Sequence, residues 1–257
     1  MWRLEFSSGS AGNKCWRGRR KARPRVASSG ERQIRVETIS QVLSTLRLQS
    51  EGQAKALITR SVKFKQVIEM ATTAAQAHVP VVISGETGTG KDLLAQLIHH
   101  RGPRKDKPLV AVNCGGIPGE LAESEFFGHV KGAFSGALSE HQGLFAQASQ
   151  GTLLLDGVDD LHQEIQVKLL RVLESGEYRP VGSEKSFKTK TRVIAITHKD
   201  LRELVKAKRF RRDLFHRLAV VEIRVPPLRE RPEDVLPLFF YFLKHFFTPK
   251  TVLFQLI

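Results

Sequence analysis

Cysteine is almost missing. Cys15 and Cys114 are the only two in 257 residues. That excludes a disulfide framework and any cysteine-based metal spacing, and two isolated thiols suit a reducing cytoplasm. No apolar run is long enough to span a bilayer. The opening Met1-Trp2-Arg3-Leu4-Glu5-Phe6 lacks the apolar stretch of a secretory leader. Acid is also in short supply, with 26 Asp and Glu against 41 Lys and Arg, a net charge of +15. The imbalance is local: residues 1–35 hold ten Lys or Arg and two acids, so +8 of the +15 lies there. The remainder is moderately basic, as expected of a domain that handles polyphosphates or nucleic acid. The length allows one good-sized core, or one core plus a small satellite.

The stretch around which the chain is organised is Gly85-Glu86-Thr87-Gly88-Thr89-Gly90-Lys91-Asp92. Before it, Val79 to Ser84 is apolar and β-branched and reads as a buried strand. After it, Leu93, Leu94, Leu97 and Ile98 fall at helical spacing. Strand, glycine-rich loop and helix together make a P-loop, whose backbone N–H groups point inward at a phosphate chain. Lys91 is then placed to reach the β- and γ-phosphates. The general motif asks for Ser or Thr after the lysine to hold magnesium. Asp92 stands there instead, so metal binding must lean on another residue.

Residues 1–30, rich in Arg, Ser and Gly without periodicity, are expected to be a disordered basic arm. Its Arg17 to Arg23 cluster suits either plain solvation or non-specific contact with nucleic-acid phosphates. Residues 31–56 read as a linker helix, and Leu57 to His78 as a helix with Phe64, Val67, Ile68, Ala71, Ala74 and Ala75 on its apolar side. Leu109 to Val112 reads as a second strand, ending in Asn113. Gly132-Ala133-Phe134-Ser135-Gly136-Ala137 reads as a projecting loop, its Phe either a tip for a partner or a local plug. Gly151 to Asp156, apolar and ending in a carboxylate, fits a Walker B strand. An amphipathic helix over 161–175, a hairpin over 178–190 and strands at 192–197 and 220–225 complete an α/β pattern with a mostly parallel five-stranded sheet.

With these motifs in place the chain resembles the AAA+ domain of bacterial sigma-54-dependent transcription activators over roughly residues 57–240. The Gly85 to Lys91 run followed by an acid matches that family's Walker A form. Residues 132–137 resemble its GAFTGA loop, which contacts the sigma factor; this favours the tip over the plug. The resemblance implies ATP and Mg2+ as cofactors, a homo-oligomeric ring that is hexameric in the family, and sigma-54 RNA polymerase as partner. Position by position it implies that Asp156 holds the metal, that Asn113 links nucleotide state to the loop, and that Arg211 and Arg217 are candidate fingers for the neighbouring subunit's nucleotide.

Four departures from the family pattern bear on activity. Gly157 stands where a glutamate orients the attacking water; losing general-base help costs on the order of 10²–10⁴-fold in rate. Asp159, where the family usually has Gly, is a nearby carboxylate whose reach from the strand end is expected to be wrong for that task. His198 takes the place of the sensor I asparagine. Ser135 keeps the loop hydroxyl without the methyl, and Thr59 stands where the family has Gly. Finally, residues 237–257 read as an atypical start of a helical lid, the lid being largely missing along with the sensory and enhancer-binding domains. The expected domain plan is therefore a basic arm over 1–30, a linker over 31–56, an ATPase core over 57–236 and a lid remnant over 237–257. The expected function is an ATP-binding, sigma-54-interacting domain with impaired hydrolysis. A competent ATPase is the main alternative, and a nucleic-acid module using the basic arm the weaker one.

Overall fold

The computed structural model describes residues 57–246, with side chains to Leu243. The expected basic arm and linker helix, and residues 247–257, lie outside the described residues. Within them the elements follow in the order α1 (Val62–Gln76), β1 (Val81–Ser84), α2 (Lys91–Arg101), β2 (Leu109–Asn113), α3 (Gly119–Phe127), α4 (Leu144–Gln147) and β3 (Thr152–Asp156). Then come α5 (Gln163–Ser175), β4 (Glu177–Tyr178), β5 (Phe187–Lys188), β6 (Arg192–Thr197), α6 (Leu201–Lys206), α7 (Arg212–Leu218), β7 (Val221–Arg224) and α8 (Val235–Phe246).

Five strands form one sheet in the order β2-β3-β6-β1-β7. Every pairing in it is parallel, so the expectation of a mostly parallel sheet is tightened. Parallel strands joined by helices are covered on both faces and read as continuous apolar runs. All six residues of β6 are buried, and their side chains alternate between the faces. Ile194 and Ile196 join Val81, Ile83, Leu94 and Ile98 in the core shared with α1 and α2. Val193 and Ala195 join Val82, Leu153, Leu155 and the helices α3 to α7 on the other face. The expected hairpin is present as the antiparallel pair β4–β5.

The helix expected from Leu57 begins only at Val62. Residues 57–61 are non-helical because their polar groups have a better partner far along the chain. The buried Asp234 carboxylate takes the N–H groups of Arg60 (2.5 Å) and Ser61 (3.0 Å), with the Thr59 hydroxyl 2.8 and 2.9 Å from its two oxygens. At the other end of α1, the buried Arg192 donates to the carbonyls of Ala74 (2.6 Å), Ala75 (2.9 Å) and Val79 (3.3 Å). It thereby satisfies the orphan carbonyls and the negative end of the helix dipole. Burial pulls the Arg192 pKa down to about 10.

The helix α8 leaves Leu236, Phe239 and Phe242 more than half exposed. Among the described residues no helix is long and apolar enough to cross a membrane.

Candidate functional site at the carboxyl edge of the sheet

Strand register decides what meets at the site. Asn113 pairs across from Asp156, Asp156 from Ile196, and Ser84 from Thr197. The carboxyl ends of β2, β3, β6 and β1 therefore set Asn113, Asp156, His198 and the loop 85–92 side by side. In open parallel α/β sheets this is the edge where ligands bind.

The loop is tightly wound. Gly90 caps α2 in a left-handed conformation, φ 93°. A Cβ on Gly85 would stand 2.8 Å from the Val225 carbonyl, so only glycine fits there. Lys91 Nζ bonds the carbonyls of Gly85 (2.9 Å) and Glu86 (2.8 Å), and the Thr89 hydroxyl donates to Glu86 (2.7 Å). Arg229 grips the Glu86 carboxylate with both terminal nitrogens, at 2.6 and 2.5 Å. This hydrogen-bonded fork is the main reason the Glu86 pKa lies below its ordinary value. Gly88 and Thr87 form the turn between, and Gly85 N reaches back to the Thr197 carbonyl (3.3 Å). Underneath, buried Arg231 donates to the Thr89 carbonyl (2.9 Å) and lies 4.2 Å over the Phe64 ring.

Asp92 opens α2 and faces the end of β3. Burial raises its pKa, and the charge of Asp156 raises it further, against a smaller opposing effect of Lys91. The two carboxylates, Asp92 and Asp156, offer oxygen donors of the kind a hard dication takes. Asn113 uses its side-chain oxygen to accept from Gly115 N (3.1 Å), capping the short turn that follows β2. Gly157 is left-handed, φ 70° and ψ 44°, immediately after Asp156.

Asp159 does not point outward. Its side chain is fully buried beneath the end of β6. Thr197 donates its hydroxyl to Oδ1 (2.8 Å), Lys199 Nζ is 2.9 Å from Oδ2, and His198 Nε2 is 3.5 Å from Oδ2. Burial alone would raise the Asp159 pKa, but Lys199, Thr197 and His198 together outweigh it and lower it. Lys199 also holds Asp160 at 2.8 Å. His198 itself is 43% exposed and lines a cavity of about 490 Å³ with Gly85, Glu86, Glu222 and Arg229. A slightly larger cavity, about 570 Å³, lies between α5 and the β4–β5 hairpin, away from the strand ends.

The two expected finger arginines lie on a separate element. Arg211 caps α7 and pairs with Asp213 (2.7 and 3.1 Å), while Arg217 donates to the Leu173 carbonyl (2.9 Å). The loop 132–137 is set apart too, between His129 and His141, which bridge to each other. Gly132 N bonds the Ala137 carbonyl (2.9 Å), closing the turn, and Gly136 and Ala137 both donate to Phe134 O. Ala133 rests against Gly182. The Phe134 ring meets His129 edge-on at 5.0 Å yet stays 43% exposed, with Ser135 beside it exposed as well.

Sequence reasoning missed the parts that act through long-range contacts: Arg229 on Glu86, Arg231 beneath Thr89, and Asp159 behind His198. The charged, proline-flanked run from Pro227 to Asp234 was the available signal for the first two.

Residues 57–224 match the family described as the Sigma-54 interaction domain. The response regulator PilR of Pseudomonas aeruginosa is 56% identical over 161 residues, covering 63% of this chain and 36% of PilR. The transcriptional regulatory protein GlrR of Escherichia coli K12 is 46% identical over 181 residues, covering 70% of this chain and 41% of GlrR. The anaerobic nitric oxide reductase transcription regulator NorR of Citrobacter koseri is 50% identical over 192 residues, covering 75% and 37%. The chain thus spans well under half the length of these relatives. Among solved structures, NtrX of Brucella abortus in complex with ATP superposes with a TM-score of 0.69 at 33% identity, covering 85% of this chain and 48% of NtrX.

Proposed function

The chain belongs to the sigma-54 interaction domain family and has the AAA+ P-loop NTPase fold, and from that premise we propose that residues 57–236 bind ATP and engage sigma-54 while hydrolysing slowly. The observation that carries the reading is the pairing of Asn113 with Asp156 at the carboxyl edge of the sheet, with the loop 85–92 following β1 on the same edge and Asp92 feeling the charge of Asp156. The loop 85–92 holds the phosphates on its N–H groups and the positive end of α2. Lys91 leaves its two carbonyl partners for the phosphate oxygens. Asp156, with Asp92 beside it, would hold Mg2+ there. When bound, the metal supplies charge neutralisation on the phosphates.

Slow turnover follows from Gly157, which offers no group to polarise water. Arg211 and Arg217 act across a subunit boundary on a neighbour's nucleotide in a homo-oligomeric ring, which explains why their own-chain partners lie elsewhere. The loop 132–137 presents Phe134 to sigma-54. A competent ATPase remains the second reading, favoured by the retained P-loop lysine and both arginines.

The test pairs two variants with the parent chain. Lys91→Ala should abolish measurable ATP binding in a calorimetric titration while the fold persists by circular dichroism. Phe134→Ala should keep ATP binding and lose nucleotide-dependent retention on immobilised sigma-54. Unchanged ATP binding in the first variant, or unchanged retention in the second, would overturn the corresponding part.

A further inference from the structure

The turn after β3 and the turn after β6 converge. Asp156 pairs with Ile196 across the sheet, so Asp159 and Asp160 emerge just beyond one partner, and His198 and Lys199 just beyond the other. One donor atom from each of Asp159, Asp160 and His198 lies within 4.8 Å of the others. We propose that these three side chains form a binding site for a divalent transition-metal ion of the zinc class, and that the Lys199 ammonium holds the place until the ion displaces it. The site uses donors other than Asp92 and Asp156 and stands apart from the nucleotide reading.

Asp159 Oδ2 carries the argument. The Asp159 side chain is fully buried, and its Oδ1 accepts the Thr197 hydroxyl at 2.8 Å. Oδ2 is buried as well and has no hydrogen-bond partner. Lys199 Nζ stands 2.9 Å from it, yet directs its aligned hydrogen bond to Asp160 Oδ1 at 2.8 Å. A buried carboxylate oxygen held by charge alone is the kind of group that a bound ion completes. The spacing agrees. His198 Nε2 is 3.5 Å from Oδ2, long for a hydrogen bond. Two ligands at about 2.0–2.1 Å from a tetrahedral ion stand about 3.4 Å apart. Nε2 and Oδ2 therefore already have nearly the separation of two zinc ligands.

The other two groups supply the exchange. The side chains of Lys199 and Asp160 are each more than a third exposed, so Lys199 can swing out to solvent and Asp160 can swing in as the third ligand. Water takes the fourth position, as in open zinc sites. Donor chemistry selects the ion. Mg2+ and Ca2+ take oxygen ligands, whereas an imidazole nitrogen favours Zn2+ and its transition-metal neighbours. Thr197 supports the site from behind, fixing the Asp159 carboxylate through Oδ1 as outer partners of metal ligands do. Two carboxylates bridged by one ammonium become two carboxylates bridged by a dication.

The full chain without nucleotide tests this, with Zn2+ alone and Co2+ alone as probes. Expected is an equivalent of Zn2+ in a calorimetric titration that excess Mg2+ does not displace, and the visible absorption of tetrahedral Co2+. Both should disappear in His198→Ala and in Asp160→Asn, with the fold intact by circular dichroism. Lys199→Ala should bind Zn2+ about tenfold tighter, the scale of one hydrogen bond to a charged group that no longer has to break. Signals that His198→Ala and Asp160→Asn leave unchanged would assign binding to other donors of the chain and overturn the site. Absence of binding in the parent would overturn it outright, and equal affinity in the parent and Lys199→Ala would overturn the exchange. With no nucleotide present, none of these results depends on the ATP-binding reading or bears on it.

Discussion

Arg229 and Glu86 meet as a planar fork on a carboxylate, with Nη1 2.6 Å from Oε2 and Nη2 2.5 Å from Oε1. The contact joins the segment after β7 to the first side chain of the phosphate loop, across 143 positions. Both groups are exposed, so the pair adds little to folding. Its consequence is electrostatic: it neutralises an acid that would otherwise stand beside an incoming polyphosphate.

Arg229→Ala should therefore weaken ATP binding by roughly two- to fivefold, the scale of an exposed ion pair. Adding Glu86→Gln to that variant should recover most of the loss. A titration series of the two single variants and the double variant reads the coupling. Equal affinities across the series would show that the fork has no influence on the loop.

On the proposed reading, Gly157→Glu places a carboxylate where water is to be activated and should raise the rate of phosphate release. It also puts a side chain at φ 70°. A non-glycine residue there costs about 1–2 kcal/mol, lowering the melting temperature by a few degrees in a domain of this size. A Cβ meets nothing closer than Asp160 at 3.5 Å, so strain rather than collision sets the penalty. Faster release with a lower melting temperature is the expected signature. Unchanged release would place the limitation elsewhere.

Asp234→Ala should be the most damaging of these substitutions. It strips the partner from Thr59, Arg60 N and Ser61 N and leaves Arg231, 3.6 Å away, without its carboxylate. Breaking a buried charged pair from one side costs about 3–5 kcal/mol. Asp234→Asn, which keeps an acceptor oxygen, should fall in between. Differential scanning calorimetry of the three proteins checks the order.

What could be read from the sequence was what local spacing encodes. The run from Gly85 to Lys91 sits between a β-branched stretch and a helical one, and the structure has β1, the loop and α2 in that order. The apolar runs at Leu153, Val193 and Val221 became strands for the same reason. The start of α1 was misplaced because residues 57–61 have helix-compatible composition, and only Asp234, far downstream, draws their N–H groups away. The meeting of Asp159 with His198 depends on the β3–β6 register, which no spacing within either strand reveals.

Cys114 gives a pH signature. Burial pushes its thiol up to about 12, with the charges of Asp156, Asp159 and Asp160 adding to the shift. A thiol that is neutral when folded contributes stability fully present below its unfolded pKa of about 9, and loses it as pH rises toward about 12. The stability difference between the parent and Cys114→Ala should therefore shrink above pH ~9. At pH ~8 iodoacetamide should leave Cys114 unmodified until denaturant is added. Rapid native labelling, read by peptide mass spectrometry, would contradict the burial.

The central proposal is a phosphate loop that holds ATP beside Gly157, a position with no side chain to activate water. Single-turnover phosphate release, with ATP occupancy measured on the same folded sample, tests it most directly. The account predicts saturable occupancy with release at least about tenfold slower than in a family member that keeps the glutamate. Saturable occupancy with release as fast as in that relative, or no occupancy at all, would contradict it.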